Sequence, residues 1–138
     1  QLHLKGSFLI TNADTWVGTG VQEVAQSAAP SMAVLNLRDT SRYGQVQFNE
    51  EFYVTSFSEK SSSQEMGWIN AGLCHMSTDF FNNWDGQPFS LERISFLELA
   101  GRGVLKAVPF QTDFIDIGIP EDYLRFCRWI ESGKEIEL

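Results

Sequence analysis

Short apolar runs that alternate with helical spacing predict an α/β domain, with a mixed, largely parallel sheet flanked by helices. Two observations carry that expectation. Ser7–Thr11 and residues 32–37 are short, β-branched apolar runs of the kind that form strands buried on both faces. Between and after them, apolar residues recur with the period of a helix, so strand and helix follow one another as they do in crossover-connected sheets.

The elements follow in order. Ser7–Thr11 reads as a buried strand. The breaker Gly18-Thr19-Gly20 precedes Val21, Val24 and Ala25 at helical spacing, with Thr19 as the cap and Pro30 as the stop. Residues 32–37 form a second buried strand, and the loop "DTSRYG" follows it. Residues 45–57 alternate with period two around Asn49-Glu50-Glu51, which predicts a hairpin. Residues 58–65 are polar and serine-rich and read as a loop. Residues 68–76 return as a strand. A short helix is expected over 78–83, a turn at "WDGQP", and a helix over 90–100 capped by Ser90. Strands are expected at 104–109 and 114–117. The last helix is the clearest: Pro120 suits a first helical position, Glu121 and Asp122 suit its N-terminus, and Gly133 suits its end. Tyr123, Phe126, Cys127 and Ile130 fall at i, i+3, i+4 and i+7, which predicts the buried stripe.

The chain of 138 residues is read as one domain, 1–138, large enough to bury a core. Its net charge of −8 argues against a nucleic-acid partner, because phosphate backbones need clustered Lys and Arg. Cys74 and Cys127 show no metal-ligand spacing and are too few for a disulfide framework, so both are read as reduced. His3 and His75 likewise share no ligand spacing. No membrane span or signal peptide is evident, which leaves the cytoplasm as the default location. The chain opens on Gln1 rather than Met, so it is read as either processed or a piece of something longer.

Two carboxylates stand out. Asp14 ends a strand, and Asp116 lies in a short apolar stretch before Gly118 and a helix start. Ligands of open α/β sheets sit outside the carboxyl ends of strands. A pair of carboxylates there would suit Mg²⁺, which takes one or two and leaves its other positions to water and phosphates. Taken alone, each is equally an ordinary turn or capping residue.

Six segments in order then resemble the sugar-1-phosphate nucleotidyltransferase family: "FLITNADTW", "SRYGQVQF", "VTSFSEK", "GWINAGLCHM", "FSLER" and "FIDIGIPEDY". The set is most similar to the mannose- and heptose-1-phosphate guanylyltransferases. The resemblance implies a Rossmann-like nucleotidyltransferase fold, here lacking its N-terminal portion. It implies a reaction in which a sugar 1-phosphate attacks the α-phosphorus of a nucleoside triphosphate, giving an NDP-sugar, of GDP type in this branch, and pyrophosphate. Asp14 and Asp116 match the two magnesium carboxylates. Lys60 matches the lysine that holds the sugar phosphate, and Glu59 the residue that binds sugar hydroxyls. Gly44 matches a glycine that lets the backbone approach the sugar, and Asn70 a partner for a hydroxyl. Glu92 is carried over from "FSLER" more weakly, since a first-turn acid there is also ordinary.

The chain departs from the family pattern in four places. Ala13 replaces a glycine, and Ile119 replaces the threonine before Pro120, which removes a cap oxygen worth about 1 kcal/mol. Ile94 stands where an acid is common, and "WVGTG" follows Asp14 unusually. The glycine-rich G-G-x-G-T-R-L loop that cradles the triphosphate is absent from the sequence, so the resemblance covers the family's later two-thirds. Roughly 90 residues would precede Gln1 in a domain of ordinary size. The expectation is therefore the sugar-phosphate and metal part of a nucleotidyltransferase, inactive by itself. The alternative is a non-catalytic remnant that binds sugar phosphate or a partner protein, with an exposed sheet edge that invites homodimerisation.

Overall fold

The computed structural model describes residues 6–58, 65–82 and 84–133. Among the described residues eight strands appear: β1 (Ser7–Thr11), β2 (Thr15–Val17), β3 (Ser31–Leu37), β4 (Gln45–Phe48), β5 (Val54–Ser58), β6 (Gly67–Ser77), β7 (Lys106–Pro109) and β8 (Phe114–Asp116). The helices are α1 (Val21–Gln26), α2 (Leu97–Gly101) and α3 (Pro120–Glu131). A 3₁₀ turn follows β6 at Thr78–Phe81, and a π-helical segment, Leu91–Phe96, leads into α2.

Six strands form the main sheet in the order β5-β4-β6-β3-β7, with β1 also paired to β6. The expectation of a largely parallel sheet is corrected here. Among the described residues only β3 and β7 pair in parallel; every other pairing is antiparallel. The strand–helix–strand order does fix β1 and β3 in the same direction. What it does not fix is their neighbour: β6 returns from the β4–β5 hairpin and lies between them, antiparallel to both.

Alternation along the two central strands builds the core on both faces. Met32 and Val34 of β3, with Cys74 and Met76 of β6, join Phe96 and Leu99 on one side. Ala33 and Leu35, with Ile69, Ala71 and Leu73, join Val24 of α1 on the other. Successive side chains on a strand point to opposite faces, so both strands contribute to both clusters. One irregularity interrupts this order. Met32 pairs with Cys74 but Val34 pairs with Asn70, so residues 71–73 oppose Ala33 alone in a bulge. Gly72 sits in that bulge at φ 75°.

Four further expectations are corrected. Ser7–Thr11 is not a fully buried strand: Leu9 is 40% exposed, because β1 pairs on one side only among the described residues and has just one face on the core. The cap of α1 is not Thr19 but Gly20, held at φ 101° with Phe110 packed where a Cβ would stand. The helix expected over 90–100 exists from Leu91, but its first six residues are π-helical. The buried stripe of α3 is also different. Tyr123 and Ile130 are exposed, and the inward face carries Asp122, Phe126 and Trp129. Trp16 of β2 decides this, with its ring 5.9 Å from Phe126 and 4.3 Å from Trp129.

Candidate functional site

The element that assembles the first part of the site is β2, a three-residue strand that the sequence pattern did not reveal. It pairs antiparallel with β8, setting Thr15 opposite Asp116. The Ile117 amide donates to the Asp14 carbonyl at 2.7 Å, which extends the ribbon past both carboxylates. Residues a hundred positions apart in sequence thus become neighbours.

Gly118 shows how close the two side chains come. A Cβ there would stand 3.0 Å from Asp116 Oδ1 and 3.4 Å from Asp14 Oδ2, so both carboxylates face one point. The Gly118 amide donates to Asp116 Oδ1 at 2.9 Å and orients it. Among the described residues no group of three or more His, Cys, Asp or Glu side chains could hold a metal. Two hard oxygen donors at an exposed margin, with a gap that a methyl would fill, fit Mg²⁺ and not a closed zinc-type site.

The second part lies beside the first. A cavity of about 200 Å³ is lined by Ile10, Asn12, Asn70, Gly72, Cys74 and Glu92, among others. Asn70 and Glu92 both line it. The bulge in β6 aims Asn70: its Oδ1 accepts the Gly72 amide at 3.0 Å, which leaves its NH₂ to find other partners. Asn12, two residues before Asp14, is tied to the bulge by its amide, which donates to the Gly72 carbonyl at 2.7 Å. Sequence reasoning did not single out Asn12 or Cys74 as lining residues. Asn12 was visible only as part of the "TNAD" segment, and the position of Cys74 depends on the bulge. Burial, with the Glu92 charge second, pushes the Cys74 thiol up to about 12, so it remains a neutral wall of the cavity.

Gly44 precedes β4. Gln45 pairs with Ile69 in antiparallel register, so Gly44 stands at the end of the β4–β6 pairing, and it is not among the residues that line the cavity. A Cβ on Gly44 would meet the Ser58 carbonyl at 3.1 Å, so strand packing also restricts side chains there. Glu59 and Lys60 lie outside the described residues. His75 has a structural role, its Nδ1 2.9 Å from the Ser27 carbonyl. A larger cavity of about 570 Å³ opens at the starts of β3 and β7, near Pro30, Tyr53 and Lys106, and includes none of the predicted residues. The carboxylate pair and the smaller cavity, not size, mark the candidate site.

The family model for nucleotidyl transferases matches residues 2–132. The chain belongs to the nucleotidyl transferase family. It is 32% identical over 128 residues to the D-glycero-alpha-D-manno-heptose 1-phosphate guanylyltransferase of Campylobacter jejuni, covering 89% of this chain and 56% of that protein. The mannose-1-phosphate guanylyltransferase catalytic subunit beta of Drosophila melanogaster is 27% identical over 106 residues, covering 76% of this chain and 29% of that one. The crystal structure of HddC from Yersinia pseudotuberculosis superposes with a TM-score of 0.78 at 30% identity, over 91% of this chain and 56% of HddC. A second HddC structure, complexed with GMP-PN, gives 0.77. The chain spans about half the length of the heptose-phosphate relatives it matches. No described helix is long and apolar enough to cross a membrane.

Proposed function

We propose that this chain supplies the sugar-1-phosphate and Mg²⁺ site of a nucleotidyltransferase that makes an NDP-sugar, of the GDP type, with release of pyrophosphate. The convergence of Asp14 and Asp116 on Gly118, beside a cavity lined by Asn70 and Glu92, carries the proposal. The resemblance to guanylyltransferases of heptose and mannose phosphates supports the substrate class.

The chemistry fits the residue types. The attacking phosphate is already an anion, so the site needs no general base. It needs alignment and charge neutralisation. Bound Mg²⁺ would neutralise charge on the phosphates, with Asp14 and Asp116 as its protein ligands. Asn70 and Glu92 are assigned to sugar hydroxyls, and Gly44 keeps the backbone approach to the sugar that the family resemblance gives it. Glu59 and Lys60 keep the roles the family resemblance gives them, hydroxyl binding and phosphate binding.

Two measurements test this. Calorimetry of mannose 1-phosphate with the 138-residue chain should show Mg²⁺-linked binding that is lost in Asp14→Asn and in Asp116→Asn. Pyrophosphate release from GTP and a sugar 1-phosphate tests the transfer; the 138-residue chain by itself is expected to bind without turnover. Sugar-phosphate binding that ignores both Mg²⁺ and the two substitutions would refute the site.

A further inference from the structure

The loop between β3 and β4 is fastened to the β8–α3 segment by two contacts that the metal and sugar assignments do not use. Arg42 Nη1 donates to Asp122 Oδ2 across 80 residues of sequence. Asp122 is only 5% exposed and lies in the first turn of α3. Its other oxygen pairs with Arg125 at 3.2 Å on the same helix. Next along the loop, the Tyr43 ring packs edge-on against Phe114 at 5.7 Å. Phe114 is two residues before Asp116, and Asp122 is six after it, so the loop grips the carboxylate's own segment on both sides. Gly44 follows Tyr43 directly.

We infer that Arg42 is a positioning residue: its bond to buried Asp122 sets the Gly44 side of the sugar site against the Asp116 side of the metal site. The inference rests on the proposed function for its consequence, though not for its geometry. A buried carboxylate needs compensation, and loss of all its partners is costly. Asp122 has two partners, and Arg125 alone can neutralise it from within α3. A local partner would suffice for the helix. The second, brought from a distant loop, adds a fixed link between two segments of the site. Precise placement of this kind matters because small misplacement of binding groups costs large factors in reaction rate.

The experiment compares Arg42→Gln, Arg42→Lys and wild type. Arg42→Gln leaves Asp122 paired with Arg125, so the chain should fold. Hydrogen exchange at residues 43–45 should speed up about tenfold, since the loop loses its anchor. Mn²⁺ binding, followed by electron paramagnetic resonance, should change by no more than about twofold, while mannose 1-phosphate binding in the presence of Mn²⁺ should weaken about tenfold. Arg42→Lys, which keeps the charge, should recover most of the loss. A loss of stability alone would not separate sugar phosphate from metal in this way. Unchanged exchange at 43–45, or equal losses of Mn²⁺ and sugar phosphate, would overturn the inference. If wild type binds neither probe, the proposed function fails and with it the role in sugar placement. Exchange then still decides whether Arg42 anchors the loop.

Discussion

Replacing Gly118 by alanine should separate folding from metal binding. The backbone at Gly118 lies outside the left-handed region, so alanine can adopt it. On the unfolded side, alanine restricts the chain, which favours the native state by about 0.4–1 kcal/mol. Against this, the new methyl would lie 3.0 Å from Asp116 Oδ1. That is closer than ordinary carbon–oxygen contact, so the carboxylate must turn or shift by a few tenths of an ångström. Turning it weakens the 2.9 Å bond from the Gly118 amide, worth about 1 kcal/mol. The two stability terms nearly cancel. The melting temperature should therefore stay within about 4 °C of wild type. Metal binding has no such compensation, because the methyl also lies 3.4 Å from Asp14 Oδ2 and fills the point both ligands face. Loss of ligand orientation typically reduces metal affinity about 10–100-fold. Mn²⁺ titration by electron paramagnetic resonance, beside a thermal melt, measures both. A folded Gly118→Ala chain that binds Mn²⁺ as tightly as wild type would refute the two-carboxylate site.

Three other outcomes are expected. Gly72→Ala places a side chain at φ 75° with its Cβ 2.9 Å from Asn12 Nδ2, so urea denaturation should show a loss of about 1–2 kcal/mol from the backbone alone, and sugar-phosphate binding should fall with it. Phe96→Ala opens a cavity where the ring is buried against Phe57, and the same measurement should show a loss of about 3–5 kcal/mol; less than about 1 would mean this segment is not core. Cys74, pushed from 9.0 to about 12 chiefly by burial, should resist alkylation at neutral pH until the chain is unfolded. Its raised value also gives a sign. The unfolded thiol releases its proton above pH 9 while the folded one keeps it, so this contribution is full below pH 9 and is lost as pH rises toward about 12. Cys74→Ala should flatten that alkaline decline, seen in denaturation midpoints across the window.

Sequence pattern revealed the central strands and the last helix because their signals are local. Residues 32–37 and 68–76 are apolar for both faces of a sheet, and Pro120 opens a helix wherever it lies. Chain reversal was less visible. Nothing in the composition of β6 states which way it runs, and the expected parallel sheet became mostly antiparallel through that one strand. The stripe of α3 was misplaced for a related reason. Periodicity counts apolar residues, yet the inward face holds Asp122, a carboxylate paired with Arg125 on the same helix and with Arg42 from 80 residues away. The candidate residues were legible as motif members, and the structure supplied what motifs omit. Glycines in "GWINAG" and "FIDIG" can be read as turn formers; Gly72 and Gly118 instead keep space beside Asn12 and between the two carboxylates.

The two-stranded β2–β8 ribbon accounts for why Asp14 and Asp116, the proposed metal pair, stand outside the main sheet. Inside that sheet, β3 is buried on both faces for its first five residues, and an ionised pair there would face a heavy desolvation cost. The ribbon carries its carboxylates at the margin, where Asp14 is exposed and Asp116 half-buried. A magnesium ion that retains waters and accepts substrate phosphates needs such a margin. A three-residue ribbon is too short to be stable by itself. Its order comes from Trp16, whose ring is fixed between Phe126 and Trp129 of α3, while α3 is fastened to the β3–β4 loop through Asp122 and Arg42. The aromatic contact and the ion pair on buried Asp122 thus act at opposite ends of one helix, and together they hold wet carboxylates in a fixed place without burying them.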